Sequence, residues 1–135
     1  MSLRTEIEAF FAAYVAAFKD VDASAIADLW EPVGLFPSPT GNFAVERDAL
    51  RDHCERLLDF YRKQGVVTPS GALLSVEELF PNVAQARMAY RMLGRNDHVV
   101  AHWEHVYILR KDARWRISLT IADGEVAAWT ALGAM

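Results

Sequence analysis

The sequence predicts an α+β fold in which three N-terminal helices pack on a curved antiparallel sheet. Two observations carry that expectation. The apolar period is helical as far as about residue 65 and alternating after residue 66. Between the periodic stretches stand Gly, Pro, Asn and Asp signals that stop one element and start the next. At 135 residues the chain is expected to form one domain, 1–135, with no linker or internal repeat.

The first helix is marked by Ile7, Phe10, Phe11, Tyr14 and Phe18 at helical spacing, with alanines between them that favour the helix. Asp20-Val21-Asp22 breaks it, and Asp22 or Ser24 caps a short second helix bearing Ile26, Leu29 and Trp30, which Pro32 ends. Residues 33–45 read as a short irregular hairpin turning near Pro39-Thr40-Gly41-Asn42. A third helix runs from about Glu46 to Gln64 on a stripe of Leu50, Cys54, Leu57, Leu58 and Tyr61, and Gly65 stops it. Strands follow near 72–80, 84–93, 98–109 and 114–122, so consecutive short turns predict a meander. Residues 125–132 either extend the sheet or lie across it. Such a sheet, once curved, leaves a cavity at its open end and a second face that needs water or a partner.

Composition narrows the function. Half the residues are hydrophobic and the net charge is −4, which gives no general attraction for nucleic acid or an acidic membrane surface. The basic run from Arg110 to Arg116 carries a turn and an alternating strand, and reads as a solvated hairpin. No stretch is patterned as a signal peptide or a membrane helix, so the expected location is cytoplasmic. Cys54 is the single cysteine and falls on an apolar stripe, which excludes an intrachain disulfide and a cysteine zinc cage.

This order of elements resembles the nuclear transport factor 2-like superfamily, which includes ketosteroid isomerase and SnoaL-like polyketide cyclases. The stretch Leu109-Arg110-Lys111-Asp112-Ala113-Arg114-Trp115-Arg116-Ile117 is similar to a hairpin common among SnoaL-like members. The resemblance implies a cystatin-like cone with a ligand pocket and no cofactor. Tyr14-Val15-Ala16-Ala17 resembles the isomerase helix whose tyrosine donates to the substrate oxyanion. Val99-Val100-Ala101-His102-Trp103-Glu104-His105 resembles the strand bearing its second, protonated acid, with Glu104 at that position. The isomerase base is an aspartate before a proline. Here the residue is Ser38 before Pro39, and a serine hydroxyl lacks the accessible pKa of a carboxylate.

These readings nominate Tyr14, His102 and Glu104 as catalytic residues, with Trp30, Phe36, Ser38, Tyr61, Tyr90 and Trp103 at the ligand. His98 and His102 lie roughly 13 Å apart on an extended strand, too far to share an ion, and no metal is expected. Alternation sets His98, His102 and Glu104 on one strand face and Val99, Ala101, Trp103, His105, Tyr107 and Leu109 on the other. Which face points inward stays open. Apolar residues on both faces predict a homodimer through the sheet. The expected function is a small-molecule-binding domain for a hydrophobic cyclic or polyketide-like compound, with cofactor-free acid–base isomerase, cyclase or dehydratase chemistry in view. A non-catalytic dimeric scaffold is the alternative. Epoxide-hydrolase chemistry finds no convincing Asp-Arg-Asp set among Arg87, Arg91, Asp97 and Glu104.

Overall fold

The computed structural model describes residues 2–135. Helix α1, Leu3–Lys19, begins where the Ser2 hydroxyl accepts from the Thr5 N–H at 3.2 Å, and it buries Ile7, Phe10, Phe11, Tyr14 and Ala17. Asp22 caps α2, Ala23–Asp28, accepting from the Ala25 N–H at 3.0 Å. The chain then enters the hairpin of β1, Trp30–Ser38, and β2, Gly41–Glu46. Helix α3, Arg47–Lys63, buries Leu50, Cys54, Leu58 and Tyr61 along its apolar stripe.

The second half is the expected meander: β3 (Thr68–Phe80), β4 (Val83–Leu93), β5 (Val99–Lys111) and β6 (Trp115–Ile121). Asn82 has φ 64° in the tight β3–β4 turn, a left-handed conformation that asparagine tolerates. The strands form one six-stranded sheet in the order β2-β1-β6-β5-β4-β3.

Two expectations are corrected. The sheet is mixed, because β1 runs parallel to β6, pairing Trp30 with Ile117 and Leu35 with Leu119. The early hairpin thereby becomes the sheet's own edge, and the Ile117 N–H donates to the Leu29 carbonyl at 2.9 Å where the strands meet. Residues 123–131 form a fourth helix, α4 (Asp123–Ala131), which packs against β5.

One face of the sheet carries the core. Ala84, Ala86, Met88, Tyr90 and Met92 of β4 are buried beside Ala101, Trp103, His105, Tyr107 and Leu109 of β5. The register pairs Tyr90 with Trp103 and Arg91 with His102, so one face is aromatic and the other polar. Among the described residues no helix is long and apolar enough to cross a membrane.

Candidate functional site

A cavity of about 90 Å³ lies between the helices and the inner face of the sheet. Tyr14 and Phe18 reach it from α1, Trp30 and Phe36 from β1, and Cys54 and Tyr61 from α3. Tyr90 comes from β4, Trp103, His105 and Tyr107 from β5, and Glu125 from α4. The rings pack on one another, Trp30 stacked on Phe36 at 5.0 Å and His105 on Tyr107 at 5.3 Å. One water needs roughly 10–15 Å³. The space therefore holds about six to nine water-sized groups, enough for a compact organic molecule and too little for a fused-ring steroid.

Its polar end is built by Glu125 and His105. Trp103 Nε1–H donates to His105 Nδ1 at 2.8 Å. An indole nitrogen only donates, so Nδ1 is an acceptor and the neutral ring carries its proton on Nε2. That Nε2 stands 3.9 Å from Glu125 Oε1, beyond hydrogen-bond reach. Tyr61 Oη and, at 3.2 Å, Trp129 Nε1 both donate to Glu125 Oε2. Oε1 is thus the oxygen left free for a proton or a ligand.

Burial sets the protonation states. It raises the Glu125 carboxyl above its ordinary value, partly opposed by the Tyr61 and Trp129 donors. It lowers the His105 imidazole to about 4. The 3.9 Å contact alone would suggest an ion pair, but desolvation favours the neutral form of both partners. The phenols of Tyr14, Tyr61, Tyr90 and Tyr107 are all pushed up, first by burial, and remain hydrogen-bond donors. Trp30 Nε1 donates to the Tyr14 oxygen at 3.2 Å, while the Tyr90 and Tyr107 hydroxyls share a bond of 2.8 Å. The Cys54 thiol is raised to about 12 by burial and is no nucleophile.

The arrangement suits proton transfer. Oε1 accepts or gives a proton, the His105 Nε2–H polarises an oxygen, and the Tyr14 hydroxyl adds a donor to the same space. Gly124 sets the position of this carboxyl, since a Cβ there would meet the Glu104 carbonyl oxygen at 2.7 Å. Gly124→Ala is expected to push α4 off β5 and to cost about 1–3 kcal/mol. Urea unfolding measures it, and an unchanged midpoint would mean that α4 does not depend on this close approach.

Of the residues nominated from sequence, Tyr14, Trp30, Phe36, Tyr61, Tyr90 and Trp103 converge on the cavity. His102 and Glu104 do not. They stand exposed on the outer sheet face, where Arg87 Nη1 bonds Glu104 Oε1 at 3.1 Å. The inward face of β5 is the one bearing Trp103 and His105, because burying three aromatic rings and Leu109 outweighs burying two polar side chains. Ser38 is occupied in the β1–β2 turn, donating to the Gly41 carbonyl at 2.9 Å and accepting from the Thr40 N–H at 3.3 Å.

Sequence reasoning misses Glu125, because its segment reads equally as strand or tail. The available signal is Glu125 and Trp129 at i and i+4, which a helix places on one face. His105 is visible on the aromatic face of β5, but nothing local distinguishes it there. Among the described residues, no three His, Cys, Asp or Glu side chains converge as metal ligands would.

Residues 5–125 match the family described as NTF2-like protein (DUF6841). The chain is also similar to a solved ketosteroid isomerase-like protein from Erwinia carotovora atroseptica, with 22% identity and a TM-score of 0.66 over 87% of this chain and 92% of that one. A domain of unknown function with a cystatin-like fold from Nostoc punctiforme superposes with a TM-score of 0.71 at 15% identity, covering 90% and 77% of the two chains. Aln2 from Streptomyces sp. does so with 0.69 at 13% identity, covering 88% of each. At such identities the likeness is one of fold. No curated protein matches the chain in sequence.

Proposed function

We propose that this chain, which belongs to the NTF2-like family DUF6841, binds a compact small molecule in its aromatic cavity and moves a proton on it without a cofactor. The observation that carries this reading is Glu125 Oε1, a buried carboxyl oxygen facing His105 Nε2 across 3.9 Å inside an apolar cavity. That gap is too long for a direct bond and matches one ligand atom accepting from Nε2–H and meeting Oε1. Burial keeps the carboxyl's affinity for a proton nearer neutrality, where acid–base catalysis is efficient. A cyclic or branched apolar body suits the walls. Isomerase, cyclase and dehydratase chemistry all fit this machinery, whereas the roles first given to His102 and Glu104 pass to His105 and Glu125.

A ligand library of one-ring and branched compounds, screened by thermal melting, tests the reading. One compound class should raise Tm saturably. Tyr14→Phe and Glu125→Gln should each weaken that ligand by at least about fivefold, the scale of one buried hydrogen bond. Full binding by both variants would refute the site.

The small volume of the cavity supports a second reading, a non-catalytic scaffold whose walls fill its own interior. Under it no compound shifts Tm, and the protein sediments as a dimer joined through the outer sheet face.

A further inference from the structure

The geometry points to a small organic cation, an alkylammonium or quaternary ammonium compound, as the cavity's ligand, an inference that rests on the ligand-binding reading above. The walls are lined by aromatic rings, among them Trp30, Phe36, Tyr61 and Trp103. The faces of such rings carry negative quadrupole charge and attract a cation, most strongly when water is excluded. A single carboxyl group, Glu125, stands at the polar end, and among the described residues no lysine or arginine lines the cavity. An anionic ligand would find no cationic side chain to pair with in the cavity wall. A neutral one would leave the ring faces unused electrostatically. A cation satisfies both features and supplies the opposite charge that favours ionisation of the buried carboxyl.

A neighbouring cleft carries a small excess of the same sign. This cleft, of about 510 Å³, shares Phe18, Tyr61 and Pro69 with the cavity wall. It is lined by Asp20, Asp22, Glu55 and Asp59 against Lys19 and Arg62, with Asp59 paired to Arg62 at 2.7 Å and to Lys63 at 2.9 Å. An excess of carboxylates beside a cavity raises the local concentration of cations and repels anions. Size agrees too, since about six to nine water-sized groups match a trimethylammonium head with a short tail.

Protonation follows. A bound cation favours the carboxylate form of Glu125, so binding releases a proton and strengthens as pH rises through the raised range of that group. The other titratable groups facing Glu125 do not reverse this sign. His105 of β5 is held down to about 4, and the Tyr61, Tyr14, Tyr90 and Tyr107 phenols are held up. On α3, His53 at the rim is lowered by burial and by Arg56, and Cys54 sits at about 12.

Calorimetric titration at pH 5 and pH 8 with four probes tests the inference: tetramethylammonium, choline, its neutral carbon isostere 3,3-dimethylbutan-1-ol, and the anion 3,3-dimethylbutanoate. Choline and tetramethylammonium are expected to bind, choline at least about tenfold tighter than the neutral isostere, the anion not at all. Their affinity should be higher at pH 8. Glu125→Gln, which keeps an oxygen for Tyr61 and Trp129, should weaken the cations at least about tenfold more than it weakens the isostere. If the isostere equals choline in the native protein, or Glu125→Gln keeps full choline affinity, the cation assignment is overturned while the pocket stands. It is overturned equally if a neutral one-ring compound from the library binds and no cation does. Should nothing bind in either experiment, the ligand-binding reading falls with it. Were the variant to misfold, the native protein's choline-to-isostere ratio and its pH dependence still decide.

Discussion

Trp129→Ala is expected to lower the unfolding free energy by about 3–5 kcal/mol, the range for emptying a buried aromatic site, and to abolish binding in the cavity. The indole is 1% exposed and is the largest of the fully buried side chains. Its ring lies 5.2 Å from Phe60 edge-on and 5.9 Å from both Tyr61 and Trp103, so it joins α3, α4 and β5 at one point. Its Nε1–H also holds Glu125 Oε2 at 3.2 Å. Removing the ring leaves a void and frees the helix that delivers the carboxyl. Trp129→Phe separates the two effects: it keeps most of the packing and loses the N–H, for a cost of about 1–2 kcal/mol. Urea unfolding of both variants measures them. A loss under about 1 kcal/mol for the alanine variant would mean that α4 is not anchored here.

The second large effect is one of pH. As pH falls from 7 to 4, His105 is expected to withdraw about 3 kcal/mol of stability, the equivalent of its drop from 6.5 to about 4. Its folded-state value is depressed, so the unfolded chain takes up the proton first. This contribution is complete above pH 6.5 and is lost progressively toward pH 4. Glu125 acts with the opposite sign. Its raised value makes its contribution complete below pH 4.5 and diminishing as pH rises through the folded-state range. Subtraction isolates the histidine. In His105→Asn the amide oxygen can still accept from Trp103, while the titrating ring is gone. The stability of the native protein relative to this variant should shrink by about 3 kcal/mol between pH 7 and pH 4. If His105 and Glu125 were instead an ion pair, the difference would grow as pH fell. That outcome would overturn the neutral assignment.

Legibility in the sequence followed the range of the forces. Helical stripes such as Ile7-Phe10-Phe11-Tyr14 and the alternation of Trp115, Ile117 and Leu119 are local patterns, set by which side chains must leave water together. They located three helices, the early hairpin and the four later strands to within a few residues. Aromatic residues on those stripes, Tyr14, Tyr61, Tyr90 and Trp103 among them, could be expected at the cavity because a cone has one interior. Resemblance, by contrast, misled at Glu104. A matching stretch of strand is one residue away from presenting the opposite face, and the period of two makes that difference total.

By itself, then, the sequence determined an α+β cone with an aromatic interior, since apolar burial is encoded residue by residue. Only the tertiary structure decided the parallel β1–β6 pairing, the inward face of β5 and the approach of Glu125 to His105. The physical reason is distance along the chain. Trp30 and Ile117, or Tyr61 and Glu125, meet across a fold that no local pattern describes, and the upward shift of the Glu125 carboxyl exists only once α4 has carried it out of water.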